Sequence, residues 1–220
     1  LLPDLVIRDV VAGMAHVRSL GEELKSFKLA IDRHSSDPNN RSAEPLLPDL
    51  PALSSPSMVL QGHDACHIRA QLPLRFRWVE TWSLLYSTAT HGISFGTFLR
   101  NVEYRSPTLI LVKDEQYHTF GAFCSAPWDT HPGCFGTGES FVFRVRPEFE
   151  TYRWSPGNND YFMLCRKGEG IAIGGGGSNA IRLEPDFLQG TSGNCATFDS
   201  PCLASGNDFR CLFMEVYTFE

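Results

Sequence analysis

The run Thr108-Leu-Ile-Leu-Val-Lys-Asp-Glu-Gln-Tyr-His-Thr-Phe-Gly-Ala-Phe-Cys-Ser125 holds two apolar blocks around one polar turn. Thr108–Val112 is too short for a buried helix and rich in β-branched types, so it reads as a central strand. Lys113-Asp114-Glu115-Gln116 makes the turn. Thr119–Ser125 returns as the hairpin partner, with Gly121 small enough for close packing.

Toward the C-terminus the same period continues. Pro127-Trp128 and His131-Pro132-Gly133 form a loop, and Gly136-Thr137-Gly138 leads into Glu139–Arg146. There Phe141, Phe143 and Val145 alternate with Val142, Arg144 and Arg146, the pattern of a half-buried strand. Tyr152–Trp154, Tyr161–Cys165, Ile171–Ile173, Ala180–Leu183 and Cys211–Phe219 read as further short strands, and Gly174–Gly177 as a turn. Many short strands and few helices predict a mainly β fold with flanking helices (α+β), a two-sheet antiparallel β-sandwich.

Toward the N-terminus the pattern becomes helical. Pro73 opens a short helix, Trp82–Tyr86 is a strand, and His91-Gly92 turns the chain. Ser94 stands where its hydroxyl would cap a helix running to about Val102, and Pro107 ends that element. Residues 58–72 are ambiguous. His63, Asp64, Cys66 and His67 are metal-ligand types, but their spacing matches no zinc site. Residues 34–57 carry Pro38, Pro45, Pro48, Pro51 and Pro56 among Ser and Asn, and read as a linker. Apolar residues at three- and four-residue steps from Val6 to Ile31 predict an amphipathic helix over 4–31. The expected organisation is a helical extension at 1–33, a linker at 34–57 and the sandwich at 58–220.

The 220 residues carry a net charge of −6, so the domain as a whole is not expected to be drawn to nucleic acid or acidic lipid. A local basic patch is compatible with Arg144, Arg146 and Arg153. Seven cysteines, with no C-x-x-C, argue for reduced thiols in a cytosolic protein and against a zinc ribbon or disulfide framework. No apolar run approaches the ~20 residues of a membrane span. The chain begins without Met, so it reads as part of a longer protein.

Several residue groups have chemical potential. Gly92-Ile93-Ser94-Phe95-Gly96 fits the G-x-S-x-G turn of serine hydrolases, whose acid and histidine would come from Asp114 with His118 or Asp129 with His131. The alternating strands and helices of that fold are absent, and helix capping is the competing role for Ser94. The glycines at 168–177 fit no phosphate-loop pattern and suit turns. Glu139 and Glu215 lie at or inside apolar strands, where an acid needs partners. Cys124 and Cys134 are redox-active only if exposed near a cation; otherwise they are core thiols.

Read together, these pieces resemble the TLDc domain family. The resemblance is carried by Leu84-Leu-Tyr-Ser87 with His91-Gly-x-Ser94, Pro107-Thr-Leu with Lys113-Asp114, and Phe120-Gly-Ala-Phe-x-Ser125. It continues through Phe135-Gly-Thr-Gly-Glu-x-Phe141, Asn158–Phe162, Gly174–Gly177, Cys195-x-Thr-Phe198, Asp208-Phe209 and Glu215-Val-Tyr217. The chain departs from the family's pattern at Tyr217 and at Ala180-Ile181-Arg182. The helical extension is similar to that of the lysosomal mTOR-associated branch.

The resemblance implies a β-sandwich flanked by helices, a link to oxidative-stress resistance, and binding to the vacuolar proton-pumping ATPase. It brings no catalytic activity, cofactor or metal. It implies a cytoplasmic module, peripheral on lysosomal, vacuolar or other acidic-organelle membranes through the pump. The loop positions Gly92, Ser94, Gly136, Gly138 and Glu139 are the expected docking or loop-shaping residues, and Glu215 the expected structural acid. The alternatives are a serine hydrolase built on Ser94, a thiol antioxidant, and the accessory half of a Rab GTPase-activating protein.

Overall fold

The computed structural model describes residues 50–220. The helix expected at 4–31 and most of the linker lie outside the described residues.

Among the described residues, eleven strands and four short helices follow in order. They are β1 (Ala52–Leu53), α1 (Asp64–Gln71), α2 (Leu74–Arg77), β2 (Thr81–Ser87), α3 (Thr88–His91) and α4 (Phe95–Val102). Next come β3 (Thr108–Asp114), β4 (Thr119–Cys124), β5 (Phe141–Arg146), β6 (Glu150–Arg153) and β7 (Met163–Arg166). β8 (Gly170–Ile173), β9 (Ile181–Leu183), β10 (Gln189–Thr191) and β11 (Asp208–Phe219) complete the fold.

The strands form one hydrogen-bonded path, β6-β5-β4-β3-β11-β10-β9-β8-β7, with β2 on the other side of β11 and β1 on β2. All pairs are antiparallel except the parallel β1–β2 edge. The twelve-residue β11 belongs to both halves. Its first residues, Asp208–Arg210, pair with β10, and its later ones with β3 and β2. The path folds over there, so the expected sandwich is present, hinged on one strand.

Two cores result. Ile110, Val112, Phe120, Ala122 and Val142 face Met163, Cys165, Ile171, Ile173, Ile181 and Leu183 between the two halves. On the opposite face of β3–β5, Leu109, Leu111, Phe123, Phe141, Phe143 and Val145 pack under Val59, Leu60, Ala65, Ile68 and Leu72. A helical layer therefore covers the face that would otherwise meet water. This is why β3 is buried at all seven positions and why Phe141, Val142 and Phe143 are all buried. The half-buried alternation expected for β5 is corrected: Val142 faces the sandwich core, and its neighbours face the helices.

Two further readings are corrected, and one strand was not foreseen. Residues 50–57 are part of the fold, not the end of a linker. Ala52 N donates to Glu80 O (2.8 Å) and Ser54 N to Trp82 O (3.0 Å), so Pro51 and Pro56 flank a two-residue edge strand. Trp154 leaves β6, and its Nε1 donates to Asn159 O (3.0 Å). β10, Gln189-Gly190-Thr191, has no strand signature in sequence and exists because β9 and β11 flank it.

Candidate functional site

The segment after β2 is held from the core. Ser87 Oγ accepts from Ala89 N (3.3 Å) and so caps α3, while Ser87 N donates to His91 Nδ1 (3.0 Å). The Tyr86 hydroxyl donates to Gly92 O (2.5 Å), and the Tyr86 and His91 rings stack at 5.8 Å. Gly92 takes φ +81°, a left-handed turn that a side chain would strain, and nothing crowds the place of a Cβ.

Ser94 occupies the N-cap position of α4, but its hydroxyl makes no capping bond; only its carbonyl enters the helix, accepting from Phe98 N (2.9 Å). The expected hydroxyl cap is therefore corrected. The hydrolase reading fares no better. Asp114 is fully buried and accepts from Gln116 N (3.0 Å), His118 N (2.9 Å) and Ser205 N (2.8 Å). His131 Nδ1 accepts from Gly133 N (3.1 Å). No hydrogen bond among the described residues joins Ser94 to a histidine or carboxylate. Ser94→Ala is expected to change stability by less than about 0.5 kcal/mol and to leave fluorophosphonate labelling at background. Urea denaturation and probe labelling check both.

Around Ser94 lies a groove of about 550 Å³. Ile93, Phe95 and Leu99 form its apolar wall, and Thr130, Lys167 and Pro185 close it from three other loops. Ile93 is 43% exposed. Below it α4 is anchored by Phe98, which meets Tyr86, Trp128 and Phe187 edge-on or tilted at 5.5, 5.5 and 5.2 Å. The groove is thus preformed on a rigid base. Sequence reasoning found its Ser94 side, but Thr130, Lys167 and Pro185 come from distant loops and gave no signal.

The other expected loop residues lie elsewhere. Gly136, at φ +115°, passes so close to Phe162 that a Cβ would come within 2.8 Å of its Cβ. A Cβ on Gly138 would meet the Trp154 ring at 2.5 Å. Gly136 thus lets the 125–140 loop lie against Phe162 and Met163, and Gly138 lets it lie against the Trp154 ring. The loop is closed by Ser125 Oγ, which bonds Thr137 Oγ1 (2.8 Å) and Ser140 Oγ (2.9 Å). Glu139 pairs with Arg75 on α2; the guanidinium holds its carboxyl below the usual range. Among the described residues, no hydrogen bond or ion pair links Ser94 to Gly136, Gly138 or Glu139, so these positions shape separate places.

Glu215 is buried on β11. Its carboxylate accepts from Ser57 Oγ (2.5 Å), Met58 N (2.7 Å) and the Tyr217 hydroxyl (3.1 Å). Lys113 Nζ donates to Met58 O (2.5 Å). Burial pulls the Lys113 pKa down, and the Glu215 charge opposes that pull. Asp64, one of the metal-type residues, is spent on Arg146 Nη2 at 2.9 and 2.8 Å. No group of three or more His, Cys, Asp or Glu among the described residues is placed to hold a metal. Burial raises the thiol pKa of Cys124, and raises those of Cys165 and Cys211 to about 12, which keeps them protonated and poorly nucleophilic. Exposed Cys134 is also raised.

The fold and these loops coincide with a known family. The family model described as "TLDc domain" matches residues 53–220. The chain belongs to the TLDc domain family. Its curated relatives include oxidation resistance protein 1 of Bos taurus, 35% identical over 194 residues, covering 84% of this chain and 22% of that protein. Oxidation resistance protein 1 of Homo sapiens is 37% identical over 174 residues, covering 77% of this chain and 19% of that protein. Nuclear receptor coactivator 7 of Mus musculus is 34% identical over 172 residues, covering 78% and 18%. This TLDc chain thus spans about a fifth of the relatives it matches.

Proposed function

We propose that this TLDc domain is a non-enzymatic regulatory module. It docks on the cytosolic sector of the vacuolar proton-pumping ATPase, modulates the pump's assembly or activity, and contributes to resistance to oxidative stress. It is brought to acidic-organelle membranes by that contact. The observation that carries the docking site is the preformed groove of Ile93, Phe95 and Leu99, pinned from below by Tyr86 and Phe98. A rigid apolar recess binds without a large ordering cost. The stress role is supported by relatives named for oxidation resistance, and the pump by the family resemblance. The non-enzymatic reading is supported by Ser94, which lacks a base, and by buried, protonated thiols.

Affinity capture from a membrane extract containing intact pump tests the proposal. Pump subunits are expected on the wild-type chain. Their absence, with the pump intact in the input, would overturn it.

A further inference from the structure

A second surface lies on the helical layer, away from the groove. Leu74 and Trp78 are 70% and 77% exposed, four residues apart on and just after the single turn of α2. That spacing puts them on one side. Next to them two guanidiniums hold adjoining backbone carbonyls. Arg77 Nε donates to Leu72 O (2.7 Å), and Arg153 Nη2 donates to the adjoining Gln71 O (2.5 Å). The two carbonyls end α1, so both cations are drawn to the same negative helix end.

Arg153 also lies 4.4 Å over the Phe141 ring, which fixes its plane. Its pKa is lowered first by burial and then by the charge of Arg77, in keeping with that closeness. Among the described residues neither Arg77 nor Arg153 has a carboxylate partner. Arg144 and Arg146, by contrast, are taken up by Glu150 and Asp64. The backbone anchors use one nitrogen of each guanidinium and leave other N–H groups for an external anion. Two fixed guanidiniums without a counter-ion are suited to a phosphate.

We propose that Leu74, Trp78, Arg77 and Arg153 form a membrane-contact patch that takes the phosphate headgroup of an anionic phospholipid. The arginines bind the phosphate while the two apolar side chains enter the bilayer interface. A bilayer is the favoured occupant because Leu74 and Trp78 protrude. A protruding pair needs a matching pocket on a protein but none in lipid, and tryptophan beside arginine suits the interfacial zone. The patch is bordered by exposed Glu80 and by the Arg75–Glu139 pair. Diffuse charge is therefore modest, and the bound phosphate supplies the affinity. This inference does not depend on pump docking.

Flotation of the whole chain with phosphatidylcholine vesicles, with and without phosphatidic acid, tests it. Binding is expected only with phosphatidic acid. It should fall about tenfold in Leu74→Ser/Trp78→Ser and about fivefold in Arg153→Gln. Leu74 and Trp78 are solvent-exposed, so their double variant keeps the wild-type melting temperature and remains informative even if Arg153→Gln loosens α1. Four outcomes would overturn the proposal: no dependence on phosphatidic acid; undiminished binding by the double variant; inorganic phosphate bound as tightly as vesicles, which would mark a free-anion site; or capture of polyglutamate while vesicles are ignored, which would mark a surface for an acidic protein.

Discussion

Glu215→Ala is expected to destabilise the domain by about 3 kcal/mol and to free residues 57–60 from the sheet. Glu215 is 1% exposed and holds three donors, two of them from the strap that precedes α1. Removing it leaves the Ser57 hydroxyl and the Met58 amide without their acceptor. It also removes the larger of the two negative charges, those of Glu215 and Asp64, that offset the burial of Lys113. The strap covers the second core with Val59 and Leu60, so loosening it exposes apolar surface as well as unpaired polar groups. Urea denaturation gives the free energy, and amide exchange at residues 57–60 gives the location. A loss under about 1 kcal/mol, or unchanged protection of the strap, would contradict this assignment. Glu215→Gln, which keeps an acceptor oxygen, should fall between the two.

Phe98→Ala should cost about 3–5 kcal/mol, the range for emptying an aromatic site in a packed core. Phe98 is fully buried among Tyr86, Phe95, Trp128 and Phe187. Trp128 is itself fixed, its Nε1 donating to Thr108 Oγ1 at 2.8 Å. The surroundings can therefore collapse only partly into the vacated space. Because Phe98 anchors α4, the variant should also loosen the wall of the groove. Thermal or urea denaturation measures the loss, and a cost near 1 kcal/mol would mean that α4 is not seated as described.

What could be read from the residues followed the strength of local pattern. Thr108–Val112 was legible as a central strand because both of its faces are buried, leaving no polar position to blur it. The turn at Gly92 and the helix start at Ser94 were legible from residue types alone. The Ser94 hydroxyl was not, because capping depends on a rotamer and not on position. β5 misled because Arg144 and Arg146 look solvent-facing in sequence, whereas Arg144 pairs with Glu150 on the next strand and Arg146 with Asp64, far away in the chain. The strap over Glu215 was hidden for the same reason: Ser57 and Met58 are more than 150 positions away from it, |i−j| being 158 and 157. The groove joins four separate loops, and the arginine pair joins α2 to β6. Such places are made by topology, which short-range periodicity does not encode.

Titration of the purified chain against the purified catalytic sector of the proton pump, with wild type and Ile93→Asp side by side, is the most direct check on the docking account. Ile93 is solvent-exposed at the groove, so the substitution leaves the fold intact while placing a charge in the apolar wall. Saturable binding by the wild type, weakened about tenfold or more in Ile93→Asp, is the predicted result. No binding by the wild type, or equal binding by the two chains, would contradict it.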